Sequence, residues 1–290
     1  MPKLVLQGVH TALVTPFNGE RVDEDGALAL ARRQLRHGVT GLVPCGTTGE
    51  TPTLDEGEWA AVISAAVQAA READRFVPVT AGCGTNSTRS TCRNIEQAAK
   101  LGADAALVVL PYYNKPNPDG HRAHMREACA VGLPVVVYHV PGRTGQRLPV
   151  ELLAELCDLD GVVAVKEATG DVRYGSDLVA STRAAVLSGD DFTWFPLTCV
   201  GGQGVISVIS NVDPARCVAL DAAARGGDLE TARALHHALM PVNRYLFAEV
   251  NPVPVKAAMS ALGLCANTLR LPLAATTRLP PEGLLDGVAV

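Results

Sequence analysis

The segment that decides the fold is Gly161-Val162-Val163-Ala164-Val165-Lys166-Glu167-Ala168-Thr169-Gly170. Four apolar residues, three of them valine, run directly into a lysine and then into a polar turn that ends in glycine. A short continuous apolar run with a glycine boundary is typical of a strand that is buried on both faces of a parallel sheet. The lysine at the carboxyl end of this strand would have its stem in apolar surroundings.

Lys166 is the candidate nucleophile. Burial disfavours the ammonium form of a lysine, and the neutral amine is the form that attacks a carbonyl group. The alternative is a strand-end lysine that extends to water. Elimination favours Lys166, because the other four lysines do not follow a strand-like run: they are Lys3, Lys100, Lys115 and Lys256.

The composition indicates a globular protein with a large core. The chain has 290 residues, of which 48% are hydrophobic and only 4% aromatic. A chain of this length forms one large domain, or one domain with an appendage. The net charge is −5 and no basic stripe is present, so neither nucleic acid nor an anionic membrane is an expected partner.

The sequence predicts a cytoplasmic protein without a metal or cofactor. The opening residues do not resemble a signal peptide, and no apolar run reaches the length of a membrane span. Eight cysteines are scattered singly, which indicates reduced thiols. His121 and His124 lie three residues apart, and we expect them on a solvated helix face, not at a metal. No nucleotide or phosphate fingerprint occurs.

Eight apolar runs alternate with helical patterns along the chain. The predicted strands are 9–14, 39–45, 76–81, 104–110, 134–140, the run that ends at Lys166, 185–188 and 204–209. This rhythm predicts a (β/α)8 TIM barrel over residues 1–226, followed by a helical region over 227–290. A doubly wound sheet is the alternative, but Thr15-Pro16-Phe17 occupies the place of its glycine-rich fingerprint.

Unusual polar residues and glycines fall in or directly after the predicted strands. In a barrel of this kind the carboxyl ends of all strands meet on one face, where the chemistry takes place. Each residue taken singly also has a structural explanation, as a turn, a core residue or a solvated side chain. Together they predict one cavity bordered by Thr47, Thr48, Tyr113, Tyr138, Arg143, Lys166, Gly189 and Ile206.

These side chains suit Schiff-base catalysis on a keto acid. The amine would attack a carbonyl carbon, and the resulting iminium would act as an electron sink. The turn Gly46–Gly49, leading into a helix, would supply donors to a carboxylate. A tyrosine and a threonine hydroxyl can relay protons, and Arg143 can pair with a second carboxylate in bidentate fashion.

Five motifs give the chain a resemblance to the dihydrodipicolinate synthase / N-acetylneuraminate lyase family. They occur in the order of the family and span nearly the whole chain. The motifs are Gly46-Thr47-Thr48-Gly49-Glu50, Pro111-Tyr112-Tyr113-Asn114, Tyr138-His139-Val140-Pro141-Gly142-Arg143-Thr144-Gly145, Lys166-Glu167-Ala168-Thr169-Gly170 and Gly204-Val205-Ile206-Ser207-Val208. In the Thr-Thr pair and Arg143 the chain resembles the synthase branch of the family. The sialic-acid lyases have Ser-Thr in the turn and lack the arginine.

The resemblance implies an enzyme that condenses pyruvate with L-aspartate 4-semialdehyde, without a cofactor, on the route to lysine and diaminopimelate. The product would be 4-hydroxy-tetrahydrodipicolinate. Lys166 would form the imine with pyruvate and Thr48 would hold its carboxylate. Arg143 would bind the carboxylate of the aldehyde, while Gly189 and Ile206 would line the pocket.

The resemblance also implies an oligomer and a shared proton relay. Tyr138, Thr47 and Tyr113 would form the relay, with Tyr113 reaching into the site of a neighbouring subunit. Members of the family are usually homotetramers built from a pair of tight dimers. The site tyrosine is followed by His139 where many relatives have asparagine, and this histidine could alter the proton environment.

Two alternatives stay open at the level of sequence. The first is another pyruvate-dependent aldolase of the same family that acts on a sugar acid, such as N-acetylneuraminate or a 2-keto-3-deoxy acid. The second is a catalytically silent keto-acid-binding protein. Weak or absent feedback by lysine is also expected. Lysine-inhibited relatives resemble one another in histidines and an acid at their effector site, whereas Glu56, Trp59 and Ser90 occupy those places here.

Overall fold

A computed structural model describes residues 4–290 and shows eight parallel strands closed into a barrel. The barrel strands are β1 (Gly8–Ala12), β4 (Gly41–Val43), β5 (Thr80–Gly82), β6 (Ala105–Val109), β7 (Val135–His139), β8 (Val162–Glu167), β9 (Ala185–Ser188) and β10 (Gly204–Ser207). A hairpin of β2 (Phe17–Asn18) and β3 (Arg21–Val22), which the sequence analysis missed, follows the first strand. The predicted (β/α)8 TIM barrel is confirmed.

Helices connect the strands and surround the barrel. They are α1 (Glu24–Arg36), α2 (Glu56–Arg71), α3 (Thr88–Leu101), α4 (Pro118–Ala130), α5 (Pro141–Thr144), α6 (Val150–Cys157), α7 (Val172–Ser181), α8 (Trp194–Cys199), α9 (Pro214–Arg225), α10 (Leu229–Leu246) and α11 (Val253–Ala261). Within residues 4–290, no helix is both long enough and apolar enough to cross a bilayer.

The strand order follows the chain around the ring. The sheet runs β4-β1-β10-β9-β8-β7-β6-β5, and a parallel bridge between Leu42 and Val79 brings its two ends together. Local signals set several helix ends as expected. Asp55 caps α2, and Glu58 completes a capping box, while Gly102 ends α3 in the left-handed conformation.

Several predicted strand boundaries were wrong. The first strand ends at Ala12 and not at 14, and the second spans Gly41–Val43 and not 39–45. The third strand was expected over 76–81 but begins at Thr80, and Phe76 is 70% exposed. Pro78 has no N–H to donate to a ladder, which disfavours a regular strand before it. The eighth strand was expected to reach Ile209 but ends at Ser207, where a single 3₁₀ turn over Ile209–Asn211 takes over.

Alternation along the strands sorts side chains between the barrel interior and the helix layer. Tyr138 of β7 is the register partner of Lys166 of β8, and His139 is the partner of Glu167. Lys166 is two residues beyond Ala164 and therefore points to the interior, whereas His139 and Glu167 point to the helices. Tyr138 belongs to the apolar cluster of the interior, which also contains Leu107, Val136, Ala164, Leu187 and Ile206.

The expectation of a solvated face for His121 and His124 was wrong. Both side chains are buried on α4. His121 Nε2 lies 3.3 Å from Gln146 Oε1, and His124 Nδ1 lies 3.0 Å from Thr88 Oγ1. A polar residue at a buried helix position is compatible with the fold when it finds such partners, and the partners are not close in sequence.

Candidate active site

Lys166 lies in the barrel interior and does not extend to water. Its side chain is 5% exposed, and Nζ is 4.4 Å from the centroid of the Tyr138 ring. Among residues 4–290 the amine has no carboxylate within ion-pair distance and makes no hydrogen bond. A buried amine without a counter-ion is a group that can react as a nucleophile.

Gly189 leaves the space that the lysine stem occupies. A Cβ atom at this position would lie 2.9 Å from both Cγ and Cε of Lys166 and 2.7 Å from Cβ of Ala168. Distances this short are sterically forbidden, so any side chain at Gly189 would displace the lysine. The Gly189 N–H donates to Glu167 O at 2.6 Å, which holds the loop after β9 against β8.

The turn after β4 presents free donors. Gly49 N–H donates to Gly46 O, and Glu50 N–H donates to Thr47 O, both at 3.1 Å. Within residues 4–290 the N–H groups of Thr47 and Thr48 have no partner, so they are available to an anion. The expectation that this turn leads directly into an α-helix was wrong: a 3₁₀ turn over Thr51–Thr53 intervenes, and α2 begins at Glu56.

Asn251 joins two of the site residues that the sequence analysis singled out. Its Nδ2 donates to Thr48 Oγ1 at 3.0 Å. Its main-chain oxygen accepts from Arg143 Nη2, also at 3.0 Å. Asn251 lies between α10 and α11, 203 residues from Thr48 along the chain, and no local pattern in the sequence identified it.

A cavity of about 670 Å³ opens at the carboxyl ends of the strands. Thr47, Tyr138, Arg143 and Asn251 lie on its wall, and Arg143 is exposed at its rim. The size is within the range of small-molecule sites. Among residues 4–290 no group of three or more histidine, cysteine or carboxylate side chains has the geometry of a metal site.

Five further predicted residues lie off this wall, and one of them, Gly189, faces the stem of Lys166. Thr48 is buried behind it, and Lys166 lies against the Tyr138 ring. Ile206 is buried in the same interior cluster as Tyr138. Tyr113, by contrast, is 89% exposed and has a positive φ of 70°. The fold therefore brings all the predicted residues except Tyr113 to one region of the barrel, and it leaves Tyr113 on the surface.

Behind the β7–β8 wall lies a buried polar layer. The His139 ring packs against the Tyr174 ring with centroids 5.7 Å apart, and neither ring nitrogen of His139 has a hydrogen-bond partner among residues 4–290. Burial, with a smaller contribution from Arg147, lowers the pKa of His139 to about 4. Burial also raises the pKa of Glu167, although Thr169 N–H donates to its carboxylate at 2.6 Å.

A second buried lysine, Lys256 of α11, lies near the same turn. Its Nζ donates to Glu50 Oε1 at 2.5 Å and to Thr268 O at 2.7 Å. It also lies 4.0 Å from the centroid of the Phe17 ring. Burial lowers the pKa of Lys256, and the Glu50 carboxylate opposes that shift. The sequence analysis set this lysine aside because it does not follow a strand-like run, and its partner Glu50 lies 206 residues away in the chain.

Comparison with known proteins gives a consistent result over the whole chain. The model of the Dihydrodipicolinate synthetase family matches residues 5–279. A 4-hydroxy-tetrahydrodipicolinate synthase of Thermomicrobium roseum is 48% identical over 98% of this chain and 94% of the relative. Another from Syntrophobacter fumaroxidans is 44% identical over 93% of each chain.

Solved structures agree in fold. The dihydrodipicolinate synthase of Thermotoga maritima superposes with a TM-score of 0.91 at 42% identity and covers 97% of this chain and 96% of its own. A monomeric dihydrodipicolinate synthase variant superposes with a TM-score of 0.89, also at 42% identity, over 94% of this chain and 92% of the other.

Proposed function

This chain belongs to the dihydrodipicolinate synthetase family, and from that premise we propose how its residues perform the reaction. The enzyme is a lyase that condenses pyruvate with L-aspartate 4-semialdehyde to 4-hydroxy-tetrahydrodipicolinate, in the biosynthesis of lysine and diaminopimelate. The observation that carries the assignment of residues is the buried amine of Lys166, which lies beside the Tyr138 ring and has no ion-pair partner among residues 4–290.

Lys166 Nζ attacks the C2 carbonyl of pyruvate, and loss of water gives a protonated imine. Removal of a proton from C3 converts the imine to an enamine, because the iminium nitrogen accepts the electron pair. The enamine carbon then attacks the aldehyde carbon of the second substrate. Attack by the substrate amine on the imine carbon closes the ring and releases Lys166 for the next turnover.

Two groups hold the two carboxylates. Thr48, with the free N–H groups of the turn after β4, binds the carboxylate of pyruvate. Arg143 at the rim binds the carboxylate of the aldehyde, since a guanidinium can pair with both oxygens at once. Gly189 and Ile206 shape the pocket around the imine.

The proton steps are assigned to hydroxyl groups. The Tyr138 ring lies 4.4 Å from the Lys166 amine, and its hydroxyl exchanges protons with the imine and the new alcohol. Thr47 connects Tyr138 with Tyr113, which would come from a neighbouring subunit. The exposure of Tyr113 in the single chain supports this arrangement, because a side chain that serves another subunit projects from its own.

Trapping of the imine tests the assignment of Lys166. Wild-type enzyme treated with pyruvate and borohydride should gain the mass of one reduced pyruvate adduct, and a peptide map should place it on Lys166. Lys166→Ala should gain nothing under the same conditions. An adduct on another lysine, or none on the wild type, would contradict the proposal.

We propose a homotetramer composed of two tight dimers. A solved relative is a monomeric variant, so membership of the family does not decide the oligomeric state. Mass photometry should give four subunits.

Mixed oligomers of Lys166→Ala and Tyr113→Phe chains provide a functional test of the shared relay. If Tyr113 acts across the interface, the mixture regains activity, because an intact lysine then meets an intact tyrosine. If activity stays absent, Tyr113 does not act in a neighbouring site.

We propose the two-part chain organisation and the cytoplasmic location that the sequence predicts. Residues 1–226 would form the catalytic barrel and 227–290 the helical region, a division supported by the end of the strand–helix alternation at α9.

A cytoplasmic location is supported by eight cysteines that all remain free thiols. Fractionation of the native host with antibody detection would test the location.

A further inference from the structure

Asn251 contacts both residues that are proposed to hold a substrate carboxylate. Its side-chain amide donates to Thr48 Oγ1, and its main-chain oxygen accepts from Arg143 Nη2. We propose that Asn251 is a positioning residue that directs the Thr48 hydroxyl hydrogen toward the pyruvate carboxylate and thereby sets the affinity for pyruvate. This inference rests on the function proposed above.

The single hydrogen of the Thr48 hydroxyl group decides what else this group can bind. A threonine hydroxyl has one hydrogen to donate and two lone pairs that accept. Because Asn251 Nδ2 donates to Oγ1, the hydrogen of Thr48 is not used on Asn251. Among residues 4–290, Thr48 Oγ1 makes no other hydrogen bond. The hydrogen is therefore free for a bound anion, beside the free N–H groups of Thr47 and Thr48.

Replacement of Asn251 by aspartate inverts this hydrogen bond at nearly constant size. An ionised carboxylate only accepts, so in Asn251→Asp the Thr48 hydroxyl would turn its hydrogen toward the new carboxylate. The donor that the anion needs would then be consumed. The bond from Arg143 ends on the main-chain oxygen of Asn251, which no side-chain substitution removes. The effect should therefore fall on pyruvate and much less on the aldehyde.

Steady-state kinetics of Asn251→Asp test the proposal. The KM for pyruvate should rise on the order of ten- to a hundredfold, the value of one hydrogen bond to a charged group. The KM for aspartate semialdehyde and kcat at saturating pyruvate should change much less. Asn251→Ala removes the amide donor without adding charge, and its KM for pyruvate should rise less than that of Asn251→Asp.

Asn267→Asp is the matched control. Asn267 is also half-buried in the C-terminal part of the chain, its Nδ2 lies 3.4 Å from Thr276 O, and its Oδ1 is buried without a protein partner within residues 4–290. It does not line the cavity. The control should retain both KM values, which separates the position from the general cost of a new carboxylate.

A Thr48→Val background separates the hydrogen bond from plain charge repulsion. If Asn251 acts through Thr48, the aspartate substitution should add little to the KM for pyruvate once the hydroxyl is gone. A full additional rise in that background, an equal rise in both KM values, or an unchanged KM for pyruvate would each overturn the proposal. If wild-type enzyme fails to form the borohydride adduct, the proposed function itself fails, whatever the variants show.

Discussion

The two buried lysines among residues 4–290 differ in what surrounds the amine. Lys256 is fully buried and is paired with Glu50 and Thr268. Lys166 is almost as buried, yet its amine lies beside an aromatic ring and, in the described part of the chain, within ion-pair distance of no carboxylate. Burial alone therefore does not distinguish a reactive lysine from a structural one. The difference lies in the partner: the Lys256 amine is held by the Glu50 carboxylate, whereas the Lys166 amine is left available to a substrate carbonyl.

The pair also shows how the C-terminal part of the chain supports the site. Glu50 ends the turn that carries Thr47 and Thr48, and it accepts from both Lys256 Nζ and the Arg270 N–H. Arg270 in turn pairs with Glu58 at the start of α2. The barrel thus supplies the nucleophile, while residues after α10 fix the turn proposed to bind the carboxylate.

The same substitution at both lysines should have opposite consequences. Lys166→Met should lower turnover by roughly three orders of magnitude or more, as loss of a nucleophile does, and should leave the free energy of unfolding unchanged or raised. Lys256→Met should lower the free energy of unfolding by about 3–5 kcal/mol, because Glu50 is left as a buried unpaired charge. Urea unfolding measures the stability of the two variants, and intact-mass measurement of the pyruvate adduct shows which variant still forms the imine.

A second substitution at the partner sharpens this result. Adding Glu50→Gln to Lys256→Met should restore part of the lost stability, since the unpaired charge is then removed. If Lys256→Met is no less stable than Lys166→Met, the contrast between the two lysines is wrong.

Filling the space around Lys166 should lower activity less than removing the lysine does. Gly189→Ala should lower kcat/KM for pyruvate by roughly a hundredfold, because its Cβ would push the lysine stem out of line. Gly142→Ala is the control: a Cβ there meets no atom within 4 Å, so its kinetics should match the wild type. Similar losses in both variants would mean that the loops tolerate no side chain at all, and that the contact with Lys166 is not the cause.

Three buried histidines show how burial acts on the pKa of a basic side chain. Burial lowers the pKa of His10, His124 and His139 to about 4, below the ordinary value of about 6.5. Between these values the unfolded chain binds protons that the folded chain does not, so stability falls as the pH drops from about 6.5 toward 4. His139→Asn should therefore reduce the slope of unfolding free energy against pH by up to about 1.4 kcal/mol per pH unit.

Urea titrations at several pH values between about 4.5 and about 6.5 measure this slope. His237→Asn is the control, because His237 is exposed. An unchanged slope in His139→Asn would show that this histidine is already protonated in the folded protein at mildly acidic pH.

Most of the fold could be predicted because its signals are local. The apolar run before Lys166, the glycine that ends α3 and the Asp55–Glu58 capping box each depend on residues within a few positions of one another. Errors arose where a local pattern was ambiguous. The valine-rich segment around Pro78 matched a strand, but the proline removed a donor and the strand began later.

The sequence by itself determined the barrel, its strand order and the position of Lys166 at the end of a buried strand, because hydrophobic periodicity is written in neighbouring residues. Only the tertiary structure decided which polar residues are buried and with what partners. Lys256 meets Glu50 across 206 residues, and Asn251 meets Thr48 across 203. The carboxylate that pairs with Lys256, and that Lys166 lacks among residues 4–290, is brought by the closure of the chain and not by any adjacent residue.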